Sequence, residues 1–331
     1  MMDYTKLEGK KILITGATGL IGKNIIKMIS ELNKGLKKPV KIVAVVRNLE
    51  KAERLFGDCE NIEYIVSDIS MLKPINNGVN YIIHGASQTS SREFVDHPIS
   101  TIMTAINGTK AVLEYARVNP VSSFVYLSSM EVYGAPQTDE LIYEDSVTNL
   151  DTMNVRSSYP ESKRMCENIC TCYMKEYGIP IKVIRLTQTF GPGVDYSDNR
   201  VFAEFARCVI EKRDIILKTK GETKRSYLYI DDAVRAIITV LLYGKDGEAY
   251  NAANENTYCS IYNMAMLVAD KCANGNINVR IEEDESSIYG YAPTLKMNLS
   301  TEKLRKLGWK AETDLQTMYL NLIGDMEKQN N

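Results

Sequence analysis

The chain is short of what several functional classes require. It has two histidines among 331 residues, His84 and His97, and neither lies near the group Cys166, Cys170 and Cys172. That cysteine spacing therefore lacks the further ligands of a zinc site, and the three read as small apolar side chains on a helix. No metal is expected. The seven cysteines are an odd number without framework spacing, as in thiols kept reduced in a cytosol. Basic excess is missing: 40 Lys and Arg against 42 Asp and Glu give a net charge of −2, which argues against nucleic acid as the main partner. Apolar runs such as residues 236–243 are too short to cross a bilayer, so no membrane partner is expected. The opening MMDYTKLEGKK has no apolar stretch before a cleavage-like site, and the expectation is a cytoplasmic protein without a secretory signal.

What is present is a regular alternation. The length suits one large or two ordinary domains with a real core. Short apolar runs at 12–15, 41–46, 62–66, 81–84, 124–128 and 182–186 read as strands covered on both faces. Helix-like stretches lie between them, for example 20–32, 99–118 and 160–177. The pattern predicts α/β architecture: a Rossmann-type doubly wound parallel sheet built from βαβ units. It loosens after Phe190, where Gly191-Pro192-Gly193 breaks the chain. Residues 1–190 are expected to bind a dinucleotide, with a strand–helix return near 226–255. Residues 191–331 are expected mainly to form a smaller mixed C-terminal substrate domain.

The first strand runs into Gly16-Ala17-Thr18-Gly19-Leu20-Ile21-Gly22 and then a helix. Gly16 allows the tight turn, Gly19 lets backbone approach a pyrophosphate, and Gly22 lets the helix pack on the strand. The N–H groups at the helix start then face the anion. Gly16, Thr18, Gly19, Leu20, Ile21 and Gly22 are the expected dinucleotide contacts. The second strand ends in Arg47, where an acidic residue would take the ribose hydroxyls of NAD. An arginine can pair with a 2′-phosphate, which leans toward NADP, or it is a solvated surface residue. Asp68 can accept from an adenine amino group or cap a helix.

Tyr159-Pro160-Glu161-Ser162-Lys163 carries the most information. Ser158 and Glu161 fit a capping box and Pro160 suits a first turn, so a helix starts here. Tyr159 and Lys163 then share a face. A phenol with a pKa of about 10 is a poor base, and a drop of ~3 units takes about 4 kcal/mol. A nearby ammonium and a helix N-terminus both act in that direction. Ser129, at the end of the strand over 124–128, can bond the same substrate oxygen.

TGATGLIG, SSMEVYG, YPESK, RLTQTFGPG and KRSYLYIDD occur in order. To about Trp309 the chain resembles an extended short-chain dehydrogenase/reductase of the nucleotide-sugar epimerase/dehydratase family. The resemblance implies a nicotinamide dinucleotide, NAD or NADP, retained through the cycle. It also implies a nucleotide-sugar substrate, UDP-sugars favoured, and hydride removal from sugar C4. Tyr159 is then the base, Ser129 polarises the C4 oxygen, and Lys163 holds the nicotinamide ribose and tunes Tyr159. Ala86 joins the cofactor contacts. Ser87, Gln188, Arg200, Arg225 and Lys296 become substrate contacts, Arg225 and Arg200 toward the diphosphate and Lys296 toward a carboxylate or phosphate.

The two residues after Ser129 bear on the reaction. Met130 cannot donate a proton, against a 4,6-dehydratase, which has Asp-Glu there. Glu131 stands where decarboxylases and dehydratases keep a carboxylate, unless it is structural. The motifs resemble the UDP-glucuronate decarboxylase branch most, with Gln188 replacing the usual Asn and Met130 the usual Ser. The expectation is a 4-epimerase or a UDP-glucuronate-type decarboxylase. An NADPH-dependent 4-keto-sugar reductase is the alternative. A non-catalytic NADP sensor fits poorly, since Tyr159 and Lys163 are both kept. The helices over 99–118 and 160–177 resemble the pair through which the family forms a homodimer.

Overall fold

A computed structural model describes residues 3–57, 59–283 and 294–330. Seven parallel strands form the main sheet: β1 (Lys11–Thr15), β2 (Lys41–Val46), β3 (Ile62–Val66), β4 (Tyr81–His84), β5 (Ser123–Ser129), β6 (Ile181–Leu186) and β10 (Ala249–Ala252). Their order is β10-β6-β5-β4-β1-β2-β3. The chain therefore leaves β1 in one direction toward β2 and resumes on its other side at β4. This reversal opens a crevice at the carboxyl ends of β1 and β4.

Successive side chains explain why these strands read as unbroken apolar runs. Ile12, Ile14, Ile42, Ile83, Val125 and Ile184 face one core; Leu13, Val43, Ile82, Phe124 and Val183 face another. Helices cover both faces. α1 (Leu20–Asn33) packs against the first core through Ile25 and Ile29. α2 (Leu49–Phe56) follows β2, and the single turn α3 (Glu93–Asp96) precedes α4 (Pro98–Arg117). α4 and α5 (Ser158–Tyr177) bury Val112, Leu113, Cys166 and Cys170 in the second core. Cys166 and Cys170 thus serve as small core residues, whereas Cys172 is exposed.

The C-terminal half is less regular. β7 (Gln188–Phe190) pairs with β9 (Lys224–Tyr229), which also pairs with β11 (Asn254–Ser260) and β13 (Lys296–Met297). β8 (Ile215–Leu217) pairs with β12 (Val279–Ile281). Residues 226–229 accordingly belong to this second sheet, and only β10 returns to the main one. α6 (Val201–Ile210), α7 (Ile230–Tyr243), α8 (Ile261–Leu267), α9 (Glu302–Arg305) and α10 (Leu315–Asn330) complete the chain. The first core runs without a break from Leu7 through α7 to Met326, so α10 shares the apolar interior that supports α1. Among the described residues no helix is long and apolar enough to cross a membrane.

Candidate active site

A cleft of about 640 Å³ opens along the carboxyl ends of β1, β2, β4 and β5. At one end lies the glycine loop. Gly16 has φ +70°, and a Cβ there would sit 2.9 Å from Ala86 N. A Cβ on Gly22 would come within 2.2 Å of Gly16 O. Both contacts are with backbone, so any side chain would force loop and helix apart. Gly19 is the N-cap of α1 with no side-chain cap, which leaves the helix N–H groups available to an anion. The close approach and open helix start fit a dinucleotide pyrophosphate.

Thr15 ties this loop to the next strand. Its Oγ1 accepts from Gly85 N and Ala86 N, each at 3.1 Å, and lies 2.7 Å from His84 Nδ1. The hydroxyl proton is therefore left for Nδ1, and His84 keeps its own proton on Nε2, 3.2 Å from Thr109 Oγ1. Full burial, with the charge of Lys163 nearby, lowers the His84 pKa to about 3. The imidazole is a neutral brace.

Farther along, Arg47, Lys51 and Asp68 line the cleft. Asp68 accepts from Ser70 N and Ser70 Oγ at the start of a short turn, and these bonds with the nearby Arg47 charge lower its pKa. Asp68 thus caps a turn, as one of its two sequence readings has it, and lines the cleft.

The central group sits where β5 meets α5. Ser129 ends β5, and its Oγ accepts from Glu131 N at 3.2 Å. Tyr159 lies in the first turn of α5, 9% exposed, stacked on Phe94 with ring centroids 4.1 Å apart and 9° from parallel. Burial pushes its phenol well above the ordinary value, and Glu131 adds to this; Ser129, Arg156 and Arg200 pull it back. Lys163 is buried and donates from Nζ to Leu127 O at 2.9 Å, with Nζ 5.8 Å from the Tyr159 ring centroid. Burial lowers the Lys163 pKa to about 8.

One local expectation needs correction. The capping box does not form: α5 begins at Ser158, and its Oγ donates 2.8 Å to Phe94 O instead. A tertiary acceptor has displaced the local one. Ser129, Arg156 and Arg200 ease Tyr159 ionisation, and the Lys163 ammonium, 5.8 Å from the Tyr159 ring centroid, donates to the β5 backbone.

Glu131 lines the cleft and pairs with Arg156 at 2.9 Å. Met130 is 4% exposed, and its Sδ lies 3.2 Å from the Thr187 hydroxyl, which donates to Ser226 O. Behind β5, Glu167 accepts from Ser128 Oγ at 2.5 Å and pairs with Arg185 at 2.7 Å. Arg185 also donates to Tyr133 Oη, and Arg164 Nε to Val132 O. These bonds fix the turn Met130–Tyr133 that carries Glu131.

The cleft brings together Gly16, Thr18, Gly19, Leu20, Ile21, Gly22, Arg47, Asp68, Ala86, Ser87, Ser129, Glu131, Tyr159, Lys163, Gln188 and Arg200. Arg200 is held by both oxygens of Asp198. Arg225 and Lys296 do not line it. Arg225 stands on β9, and its buried Nε has no partner among the described residues. Lys296 is turned to Asp139 at 3.1 Å, which also accepts from Lys224 and Tyr258. Sequence reasoning missed Phe94, Arg156 and Thr15. The first two carry no motif of their own, and only the fold sets Phe94 against Tyr159.

The chain is similar in sequence and in fold to known proteins. UDP-glucuronic acid decarboxylase 1 of Xenopus tropicalis is 29% identical over 81% of this chain and 62% of its own length. Its Danio rerio counterpart is 30% identical over 71% of this chain and 54% of its own. The chain thus spans little more than half the length of these vertebrate relatives. Among solved structures, UDP-glucose 4-epimerase of Thermotoga maritima superposes with a TM-score of 0.81 at 20% identity, over 97% of this chain and 100% of that one. UDP-glucuronic acid 4-epimerase of Bacillus cereus, solved with UDP-glucuronic acid and NAD, gives 0.81 at 19%, over 96% and 99%. The model of the NAD dependent epimerase/dehydratase family matches residues 12–253. This chain belongs to the NAD dependent epimerase/dehydratase family of enzymes.

Proposed function

We propose that the protein modifies a nucleotide sugar, UDP-sugars favoured, through a 4-keto intermediate, as a 4-epimerase or a UDP-glucuronate-type decarboxylase. The observation that carries this is the convergence of Ser129, Tyr159, Lys163 and Glu131 on one cleft whose other end is the glycine loop. A bound oxidised nicotinamide dinucleotide supplies the hydride acceptor. Gly16, Thr18, Gly19, Leu20, Ile21, Gly22 and Ala86 would hold it, with Asp68 and Arg47 at the adenosine end.

Tyr159 takes the proton of the C4 hydroxyl as hydride leaves C4. Ser129 donates its hydroxyl proton to the same oxygen while its Oγ accepts from Glu131 N. Lys163, with its ammonium 5.8 Å from the Tyr159 ring centroid, would hold the nicotinamide ribose and tunes the phenol. The C4 ketone acidifies C5–H and turns a C5 carboxylate into a β-keto acid. Met130 is buried and apolar beside Glu131, which leaves no second acid for water loss and disfavours a 4,6-dehydratase. Ser87, Gln188 and Arg200 face the substrate end. Arg225, whose buried Nε has no partner among the described residues, is kept as a diphosphate contact although it stands outside the cleft lining. Lys296 is committed to Asp139 and is left out of the substrate set. A homodimer through α4 and α5 is part of this reading, supported by exposed Ile99, Met103 and Met165 on those helices.

Arg47 and Lys51, both lining the β2 end of the cleft, favour a second reading: net reduction of a 4-keto sugar by NADPH. Mass spectrometry and chromatography of products from UDP-glucuronic acid, UDP-glucose and UDP-galactose separate the reactions. Loss of CO₂ marks a decarboxylase, and an altered retention time at constant mass an epimerase. Conversion without added NADPH excludes the reductase; no conversion of any of the three contradicts the leading reading.

A further inference from the structure

Arg156 lies outside the cleft lining and outside every motif discussed above, yet three observations converge on it. It occupies a short turn, Val155–Ser157, immediately before α5, with a side chain only 16% exposed. Its guanidinium pairs with Glu131 at 2.9 Å and lies over the Phe94 ring, 4.8 Å from the centroid. Phe94 in turn stacks on Tyr159, and Ser158 locks α5 to the Phe94 carbonyl. A planar cation between a carboxylate and an aromatic face is held by both charge and ring attraction. Such a group cannot shift without moving both neighbours.

We propose that Arg156 is a positioning residue that couples the two reacting side chains, fixing Glu131 by its ion pair and Tyr159 through the Phe94 stack. The proposal rests on Tyr159 being the base and Glu131 acting at the sugar. The groups facing Tyr159 are Glu131 and Ser129 from the β5 turn, Arg156 from the turn before α5, Arg200 from the start of α6, and Lys163 from α5 itself. Arg156 and Glu131 act on the phenol in opposite directions, so their removal is expected to move it in opposite directions.

The test uses the full chain with NAD and whichever of UDP-glucuronic acid, UDP-glucose and UDP-galactose the wild type converts. Arg156→Gln is expected to lower kcat ~10- to 100-fold, a loss typical of displaced catalytic groups, with KM within about twofold and NAD affinity unchanged. The Tyr159 limb of the kcat/KM profile moves to higher pH, because Tyr159 loses a cation that favours its ionised form. Glu131→Gln moves the Tyr159 limb the other way. Arg156→Lys restores the limb and part of kcat.

A second readout needs no substrate. Tyrosine labelled at Cζ gives a Tyr159 signal, assigned by its loss in Tyr159→Phe, whose position reports the ring stack and nearby charge. Arg156→Gln shifts this signal and Arg156→Lys leaves it near the wild-type position. Equal losses in the Gln and Lys variants with the limb and the signal unmoved would reduce Arg156 to a structural role and overturn the proposal. Wild-type kinetics and signal in Arg156→Gln would do the same. If Tyr159→Phe itself turns over normally, the reading beneath the proposal fails, which is a separate outcome.

Discussion

Phe94 and Tyr159 lie ring on ring, 4.1 Å between centroids. The stack fixes the plane of the phenol while its hydroxyl faces Ser129. Loss of the stacked partner leaves a space that Tyr159 can turn into. Phe94→Leu is therefore expected to lower kcat by about tenfold, as a misplaced general base does, while dinucleotide binding is unchanged. Steady-state kinetics with a parallel binding titration checks this.

The glycine loop gives a second expectation. Gly22→Ala places a carbon 2.2 Å from Gly16 O, and nothing there is a flexible side-chain end. Dinucleotide affinity should fall at least about tenfold, about 1.4 kcal/mol. Isothermal titration of NAD measures it; an unchanged Kd would show that the loop does not carry the pyrophosphate.

Arg47 and Lys51 line the β2 end of the cleft, and the NADPH reading proposed above assigns them to a 2′-phosphate. Arg47→Ala is expected to weaken NADP more than NAD by ~10-fold, the worth of one charge-assisted contact. Equal effects on the two would assign Arg47 to the solvated surface.

The strands were legible because both faces of the sheet are buried. The runs at 41–46 and 81–84 coincide with β2 and β4, since burial on both sides selects unbroken apolar runs, and the run at 62–66 coincides with β3, a partly exposed edge strand. The second sheet was not legible. Its strands are two to seven residues long, and β11 reads Asn-Glu-Asn-Thr-Tyr-Cys-Ser, with no alternation to find. In the site, the glycine loop, Ser129 and the Tyr159–Lys163 pair were visible because local geometry dictates their spacing. Ser158 misled, since a locally sufficient cap lost to the Phe94 carbonyl from a distant turn. Lys296 misled in a similar way. Its pairing with Asp139 arises in the fold beside the β13–β9 register and leaves no mark in the spacing of charges.

His84 predicts a dependence of stability on pH. Its folded pKa of about 3 lies below the ordinary value of 6.5. Below pH 6.5 the unfolded chain binds a proton that the folded chain refuses, so stability present above that pH is lost as pH falls toward 3. The slope contributed is about 1.4 kcal/mol per pH unit. Urea unfolding of the His84→Gln variant should show a correspondingly flatter curve across this window, around a lower plateau at neutral pH.

The central claim is that Tyr159 removes the sugar proton. The direct measurement is conversion of UDP-glucuronic acid, UDP-glucose and UDP-galactose by the wild type and Tyr159→Phe, with NAD affinity measured alongside. The account predicts unchanged NAD affinity and turnover reduced at least about 100-fold, the lower range for loss of a general base. Turnover within a few fold of wild type would contradict it.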